Sequence, residues 1–305
     1  MKKMMSKLTL LLLALTLVFS LSAAQAEEPE YSLTLTCPNG APALSVAILA
    51  AEHPENFTFI SADTIAAAFT TAEADFIIAP VNAGAKLYKA GKSTYKLAGV
   101  VTWGNLYFAS QRENFSLEDL KSNPLTLFGP DTINASVALY ALKQNGIEPV
   151  LADPLAGAAE TKVLLETDPE AIVLTAEPML TSAMVNNDKI TAISVNDLLS
   201  QAGIDGYTQA GLFVRAETLE QHPEAVNEAL VLIEGSANQC DDNPDAVAEA
   251  LGKLDMKFPK PAIGKCAVNF VYAAQARPFV EATVAIDPAQ FGGELPADDF
   301  YYYAE

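Results

Sequence analysis

The sequence is poor in the residues that most often declare a chemistry: three cysteines, two histidines and one tryptophan among 305 residues. Three cysteines with no CxxC and no zinc-ligand spacing exclude a disulfide scaffold and a structural zinc site. Two histidines, His53 and His222, cannot build the cluster of a metal-capturing protein, so no metal and no cofactor is expected. Arginine is equally scarce, occurring only as Arg112, Arg215 and Arg277, so the guanidinium fork that grips carboxylate, sulfonate or phosphate is not evident. Basic residues number 18 against 38 acidic ones, a formal charge of −20, and such a surface repels nucleic acid and anionic lipid. There is no GxSxG turn for a serine nucleophile. Lys89-Ala90-Gly91-Lys92-Ser93 only imitates the tail of a phosphate loop, because Lys86 stands where the first glycine is needed and a helix, not a strand, precedes it.

What is present begins with an address. Lys2, Lys3 and Lys7 precede the apolar stretch Leu8 to Leu21, and Ala24-Gln25-Ala26 puts small residues where a signal peptidase reads. The pattern predicts a cleaved signal peptide over 1–26 and a periplasmic protein starting at Glu27. The first cysteine, Cys37, is not at the cleavage point, so no lipid tether of the lipoprotein type is predicted, and no later run is long enough to span a bilayer. Thiols can pair in such a compartment. Cys240 and Cys266, which flank a helical segment, are the candidate disulfide, whereas Cys37 reads as a packed small hydrophobe.

Half of the residues are apolar, ample for a core. Strand patterns at Tyr31 to Cys37, Phe57 to Ile60, Phe76 to Ala79 and Leu97 to Thr102 alternate with helical ones at Ala43 to Glu52, Asp63 to Thr70 and Asn82 to Ala90, the mark of a mostly parallel sheet covered by helices. A strand over Asn105 to Ser110 closes this set, and a second α/β set follows it: the helix start at Ser116, a strand over Leu125 to Phe128, a helix begun by Asp131 and ended by Gly146, then Ala158 to Glu166, Ala171 to Thr175, Pro178 to Val185 and Ile190 to Ser194. After a last strand at Tyr207 to Val214, the periodicity reads as helix to the end, including Val268 to Phe279. These late helices have no strands of their own to cover, so they are predicted to return to the first unit. Two chain crossings would then join two lobes, 27–110 with 206–305 and 111–205, with a cleft between them.

Several segments resemble a family when taken in order. They are Leu35-Thr36-Cys37-Pro38-Asn39-Gly40-Ala41-Pro42, the run from Asp75 to Ala85, Thr102-Trp103-Gly104-Asn105-Leu106-Tyr107, Glu177-Pro178, and the ending Phe291-Gly292-Gly293-Glu294-Leu295-Pro296 with Asp298-Asp299-Phe300-Tyr301-Tyr302. Together they resemble substrate-binding proteins of bacterial ABC importers, in the branch that includes nitrate, taurine, alkanesulfonate and thiamine-precursor binders. The resemblance implies a two-lobed α/β architecture, the type II periplasmic-binding fold. It also implies a monomer that traps a small molecule between its lobes and hands it to an inner-membrane permease, without enzymatic turnover. Two other functions fit the same scaffold: an enzyme resembling thiamine-pyrimidine synthases, whose cysteine-rich pattern is missing here, and a ligand-sensing module for a membrane receptor.

In open α/β sheets ligands sit beyond the carboxyl ends of strands, where helix N-termini present unpaired N–H groups. Asn39, Gly40 and Ala41, Asn82, and Asp131 with Thr132 occupy such loops and are candidate ligand-binding residues. Asn39 to Pro42 also reads as an ordinary β-to-α turn, and Asn82 as a helix cap. Trp103, with Asn105 beside it on the first crossing, could stack on a planar ligand or pack the hinge. Glu177 could accept ligand N–H groups or pair with a cation, or simply favour a helix N-terminus. Tyr207 and Gln209 lie on the second crossing. The lack of arginine and the acidic balance fit a neutral or weakly cationic polar molecule, heteroaromatic ones included.

Overall fold

The computed structural model describes residues 32–304; the signal peptide expected over 1–26 lies outside the described residues. The strands are β1 Leu35–Pro38, β2 Phe57–Ile60, β3 Phe76–Pro80, β4 Tyr95–Thr102, β5 Leu106–Ser110, β6 Leu125–Thr126, β7 Ile172–Ala176, β8 Thr191–Ser194, β9 Ala210–Arg215 and β10 Val268–Tyr272. Between them run the helices α1 Ala41–Leu44, α2 Ala47–Glu52, α3 Ile65–Thr71, α4 Val81–Lys89, α5 Ile133–Gln144, α6 Ala158–Thr167, α7 Met179–Asn186, α8 Val195–Gln201, α9 Ala216–Gln221, α10 Pro223–Asp242, α11 Pro244–Lys253 and α12 Ala273–Ile286.

Two sheets result, a six-stranded one in the order β10-β4-β9-β3-β1-β2 and a four-stranded one in the order β6-β7-β5-β8. Alternation of strand and helix predicts mostly parallel pairing, and the structure corrects this. β1 is parallel to β2 and β3, but β9 is antiparallel to both β3 and β4. In the smaller sheet β5 is antiparallel to β7 and β8, and only β6 is parallel to β7. The antiparallel strands β5 and β9 are the first to follow the two crossings, so each enters its sheet against the local direction. Leu106–Ser110, which the sequence reading places at the end of the first lobe, is hydrogen-bonded in the smaller sheet.

Residues 268–272 form an edge strand on β4, not the start of a helix. Val268 and Phe270 point inward and Asn269 outward, the period of two expected for a half-covered strand. No turn residue separates this strand from α12, so periodicity alone runs the two together. The segment beyond is also tied in: Tyr302 N donates to Leu97 O at 2.8 Å, and Phe300 is fully buried.

Consecutive residues of β3 serve opposite faces of the larger sheet. Ile78 joins a cluster with Val101, Leu212 and the α10 stripe Val226, Leu230, Ile233 and Ala237. Ile77 joins Phe213, Leu97, and Val280 and Val284 of α12, in a cluster that continues into the smaller sheet through Leu106, Phe108, Leu174 and Val137. An uninterrupted apolar core therefore passes from one sheet to the other beneath the crossings.

The expected Cys240–Cys266 bridge is not formed. All three cysteines are buried free thiols. The Cys240 Sγ is turned toward the α1 carbonyl of Leu44, at 3.5 Å, and burial pushes its thiol up to about 12 and that of Cys266 still higher.

Candidate functional site

Strand β1 ends in Pro38, and the next turn needs a residue that tolerates positive φ: Gly40, at φ 108°, supplies it and lets α1 start at Ala41. Strand β3 runs directly into α4, β7 into α7 through Glu177 and Pro178, and the β6 segment into α5 through residues 127–132. These ends, together with the start of α6, surround a cleft of about 540 Å³. The starts of α1, α4, α5, α6 and α7 thus all lie in its wall, presenting main-chain N–H groups that have no helical partner.

Of the residues singled out from sequence, Asn39, Gly40, Ala41, Asn82, Asn105, Asp131, Thr132, Glu177 and Gln209 line this cleft. Trp103 does not. Its indole Nε1 donates to Asn269 O at 2.7 Å, and its ring meets Phe279 edge-on with centroids 5.3 Å apart, so it packs behind the first crossing. Tyr207 is also not in the wall. It is fully buried, and its ring lies where a Cβ on Gly104 would approach within 2.3 Å, so glycine at 104 lets the two crossings pass closely. Asn196 Nδ2 ties the same crossing down, donating to Trp103 O and Gly104 O at 3.0 Å each.

The polar side chains of the wall are predominantly carboxamides. Asn105 Nδ2 donates to Glu177 O at 2.9 Å, extending the β5–β7 pairing by one residue. Asn105 Oδ1 accepts from Gln209 Nε2 at 3.1 Å, and Gln209 Nε2 also reaches Asn134 Oδ1 at 3.4 Å. Tyr207 OH donates to that same Asn134 oxygen at 3.1 Å, so Tyr207 acts behind the wall by holding Asn134. Across the cleft, Gln290 Nε2 donates to Asp131 O at 2.9 Å while its Oε1 accepts from Asn82 Nδ2 at 3.4 Å. Asn82 Oδ1 is buried and has no partner among the described residues.

Glu177 is 3% exposed. Its carboxylate accepts from Thr181 N at 3.1 Å and Thr181 Oγ1 at 2.8 Å, capping α7. Burial raises its pKa from the usual carboxylate range, against the lowering effect of the Thr181 hydrogen bonds and the Lys265 charge. No Lys, Arg or His is among the residues lining the cleft, and no group of three or more His, Cys, Asp or Glu among the described residues is placed to hold a metal ion. The site can therefore orient and desolvate a polar guest with neutral donors and acceptors. Sequence reasoning missed Asn134 and Gln290. Asn134 lies two positions beyond the flagged Thr132. Gln290 carries no local signal at all, since its partners are more than 150 residues away in the chain.

No protein-family model matches the sequence, and no curated protein does. Solved structures do match in fold. An ABC transporter from Parabacteroides distasonis superposes with a TM-score of 0.76 at 20% identity, covering 90% of this chain and 100% of that one. The periplasmic aliphatic sulphonate binding protein SsuA from Escherichia coli gives 0.67 at 12% identity, covering 90% and 93%. The ligand-binding component of an ABC-type import system from Staphylococcus aureus gives 0.65 at 12%, covering 88% and 96%. The chain thus has the two-lobed periplasmic-binding fold of type II.

Proposed function

We propose that this chain is the solute-binding component of an ABC import system, exported to the periplasm, where it captures a small polar molecule between its two lobes and presents it to an inner-membrane permease. The observation that carries this reading is the cleft itself. It lies at the carboxyl ends of strands from both sheets, where ligands of open α/β folds bind, and it is walled by carboxamides and helix N-termini with no nucleophile–base pair among them. Closing two lobes on a guest supplies affinity by desolvating it and requires no covalent step.

The guest is a neutral or weakly cationic polar molecule, with heteroaromatic compounds in the favoured set. Helix N-termini can hold an anion by themselves, but the cleft adds no cationic side chain and does contain Asp131 and Glu177. Native mass spectrometry of the protein purified from its natural host is expected to show a retained small molecule, released unchanged on unfolding. A thermal-shift screen is expected to find stabilisation by uncharged or cationic heterocycles. Stabilisation by oxyanions alone would overturn the ligand class, and a retained molecule that is chemically converted on the protein would overturn the binding reading.

A further inference from the structure

The C-terminal turn at 287–290 is tied to both sides of the cleft. On the side of the larger sheet, the chain that leaves this turn is fastened to α4: Lys89 Nζ donates to Gly292 O at 2.6 Å and pairs with Glu294 at 2.8 Å, and Tyr88 OH donates to Asp299 O at 3.1 Å. On the side of the smaller sheet, Ser136 Oγ of α5 donates to Asp287 Oδ2 at 2.6 Å and Gln290 Nε2 donates to Asp131 O at 2.9 Å. Gln290 itself also accepts from Asn82 Nδ2, so one side chain joins α4 to the loop that leads into α5.

The direction of this relay is dictated by its anchor. A main-chain carbonyl can only accept, so Gln290 must show its nitrogen to Asp131 and its oxygen to Asn82. Asn82 must then show its nitrogen to Gln290, which leaves Asn82 Oδ1 as the unpartnered buried acceptor. A buried acceptor without a donor is costly and is normally satisfied. The anchor stands on the opposite side of the cleft from Asn82, so the relay is complete only when the lobes are together.

Resting on the solute-binding reading, we propose that Gln290 is a positioning residue: it latches the closed lobes and, in doing so, turns Asn82 so that its carbonyl oxygen is left for a hydrogen-bond donor on the guest. The side-chain amide groups report this without any ligand. In ¹⁵N spectra of the ligand-free full chain, the Asn82 amide pair is expected to be displaced from the solvent-exposed position and protected from exchange. In Gln290→Ala it is expected to move to the exposed position, while small-angle scattering shows the open form gaining about fivefold in population, the change associated with losing one hydrogen bond of ordinary strength.

Gln290→Glu separates positioning from simple packing. A protonated carboxyl can still donate to Asp131 O and accept from Asn82, whereas an ionised one accepts from Asn82 but cannot donate to Asp131 O, so the variant is expected to keep the closed population seen by scattering at low pH and to lose it as the new carboxyl ionises. Wild type is expected to show no such transition. An Asn82 signature unchanged in Gln290→Ala, or a closed population independent of pH in Gln290→Glu, would overturn the proposal. A native mass spectrum with no retained molecule would instead sink the solute-binding reading and leave these amide signals as they are.

Discussion

Asp75 and Glu177 are both carboxylates placed against the end of a buried strand, and their surroundings are opposite. Asp75 immediately precedes β3 and is saturated: it accepts from Thr34 N at 3.0 Å, Thr34 Oγ1 at 2.8 Å and Thr218 Oγ1 at 2.7 Å, and pairs with Arg215 at 3.2 Å. Burial alone would raise its pKa, but these hydrogen bonds and the Arg215 charge outweigh that and hold it below the usual carboxylate value. Glu177 immediately follows β7, its carboxylate accepts hydrogen bonds from a single residue, Thr181, and burial raises its pKa. At the amino end of β3 the carboxylate is fully paired. At the carboxyl ends around the cleft, among the described residues, Glu177 has no ion-pair partner within salt-bridge distance and Asn82 Oδ1 has no hydrogen-bond partner, the condition for receiving a guest.

The largest test of this contrast is Asp75→Ala, which removes the ion-pair partner of Arg215 and three hydrogen bonds from Thr34 and Thr218; about 2–3 kcal/mol of stability should be lost, read by urea denaturation. An effect under half of that would mean the amino-end network is ornamental. Thr218→Val should cost roughly 1.5–2 kcal/mol, since it removes a donor to the Asp75 carboxylate and an acceptor for Arg215 Nε. Glu177→Gln should change stability by less than about 1 kcal/mol, because the amide oxygen still accepts from Thr181 while an unpaired buried charge disappears. Its effect should fall on guest retention in native mass spectra, not on the unfolding midpoint, and a reversed pattern would break the comparison.

The smallest and most discriminating signal is in pH dependence. Asp75 has a lowered folded-state pKa, so its stabilisation is present above about pH 3.9, the ordinary carboxyl value, and is lost as pH falls through its own lower value. Glu177 has a raised one, so it costs nothing below about pH 4.3 and becomes increasingly destabilising as pH rises from there through its folded value. Stability differences measured from pH 3 to 7 should therefore show Asp75→Asn converging on wild type at the acid end. Glu177→Gln should gain on wild type toward neutrality.

The elements were more legible than their arrangement. Short-range patterns such as Phe76-Ile77-Ile78-Ala79, apolar on both faces, and the Val226, Leu230, Ile233, Ala237 stripe were readable because helix and strand periods are local properties. The β10 strand was not, because its identity depends on pairing with β4 across the chain while its own residues blend into α12. Within the site, Asn39, Asn82 and Glu177 were legible as residues next to strand ends and Asn105 as a residue of the first crossing, and the cleft collects them all. Trp103 was ambiguous for the opposite reason: a crossing segment has two sides, and only packing against Phe279 decides which one an aromatic takes. The cysteines show the same limit, since closeness in sequence said nothing about the Leu44 carbonyl that Cys240 faces.

By itself the sequence determined the α/β class, the loops that can bear a site, and an acidic chain in which arginine is too rare to build anion forks. Each is a matter of composition or of periods shorter than a few turns. Only the tertiary structure decided strand direction, the place of Trp103 outside the cleft, and the relay from Asp131 through Gln290 to Asn82. These depend on contacts between residues far apart in the chain, whose relative position is set by how the two sheets pack on one continuous core.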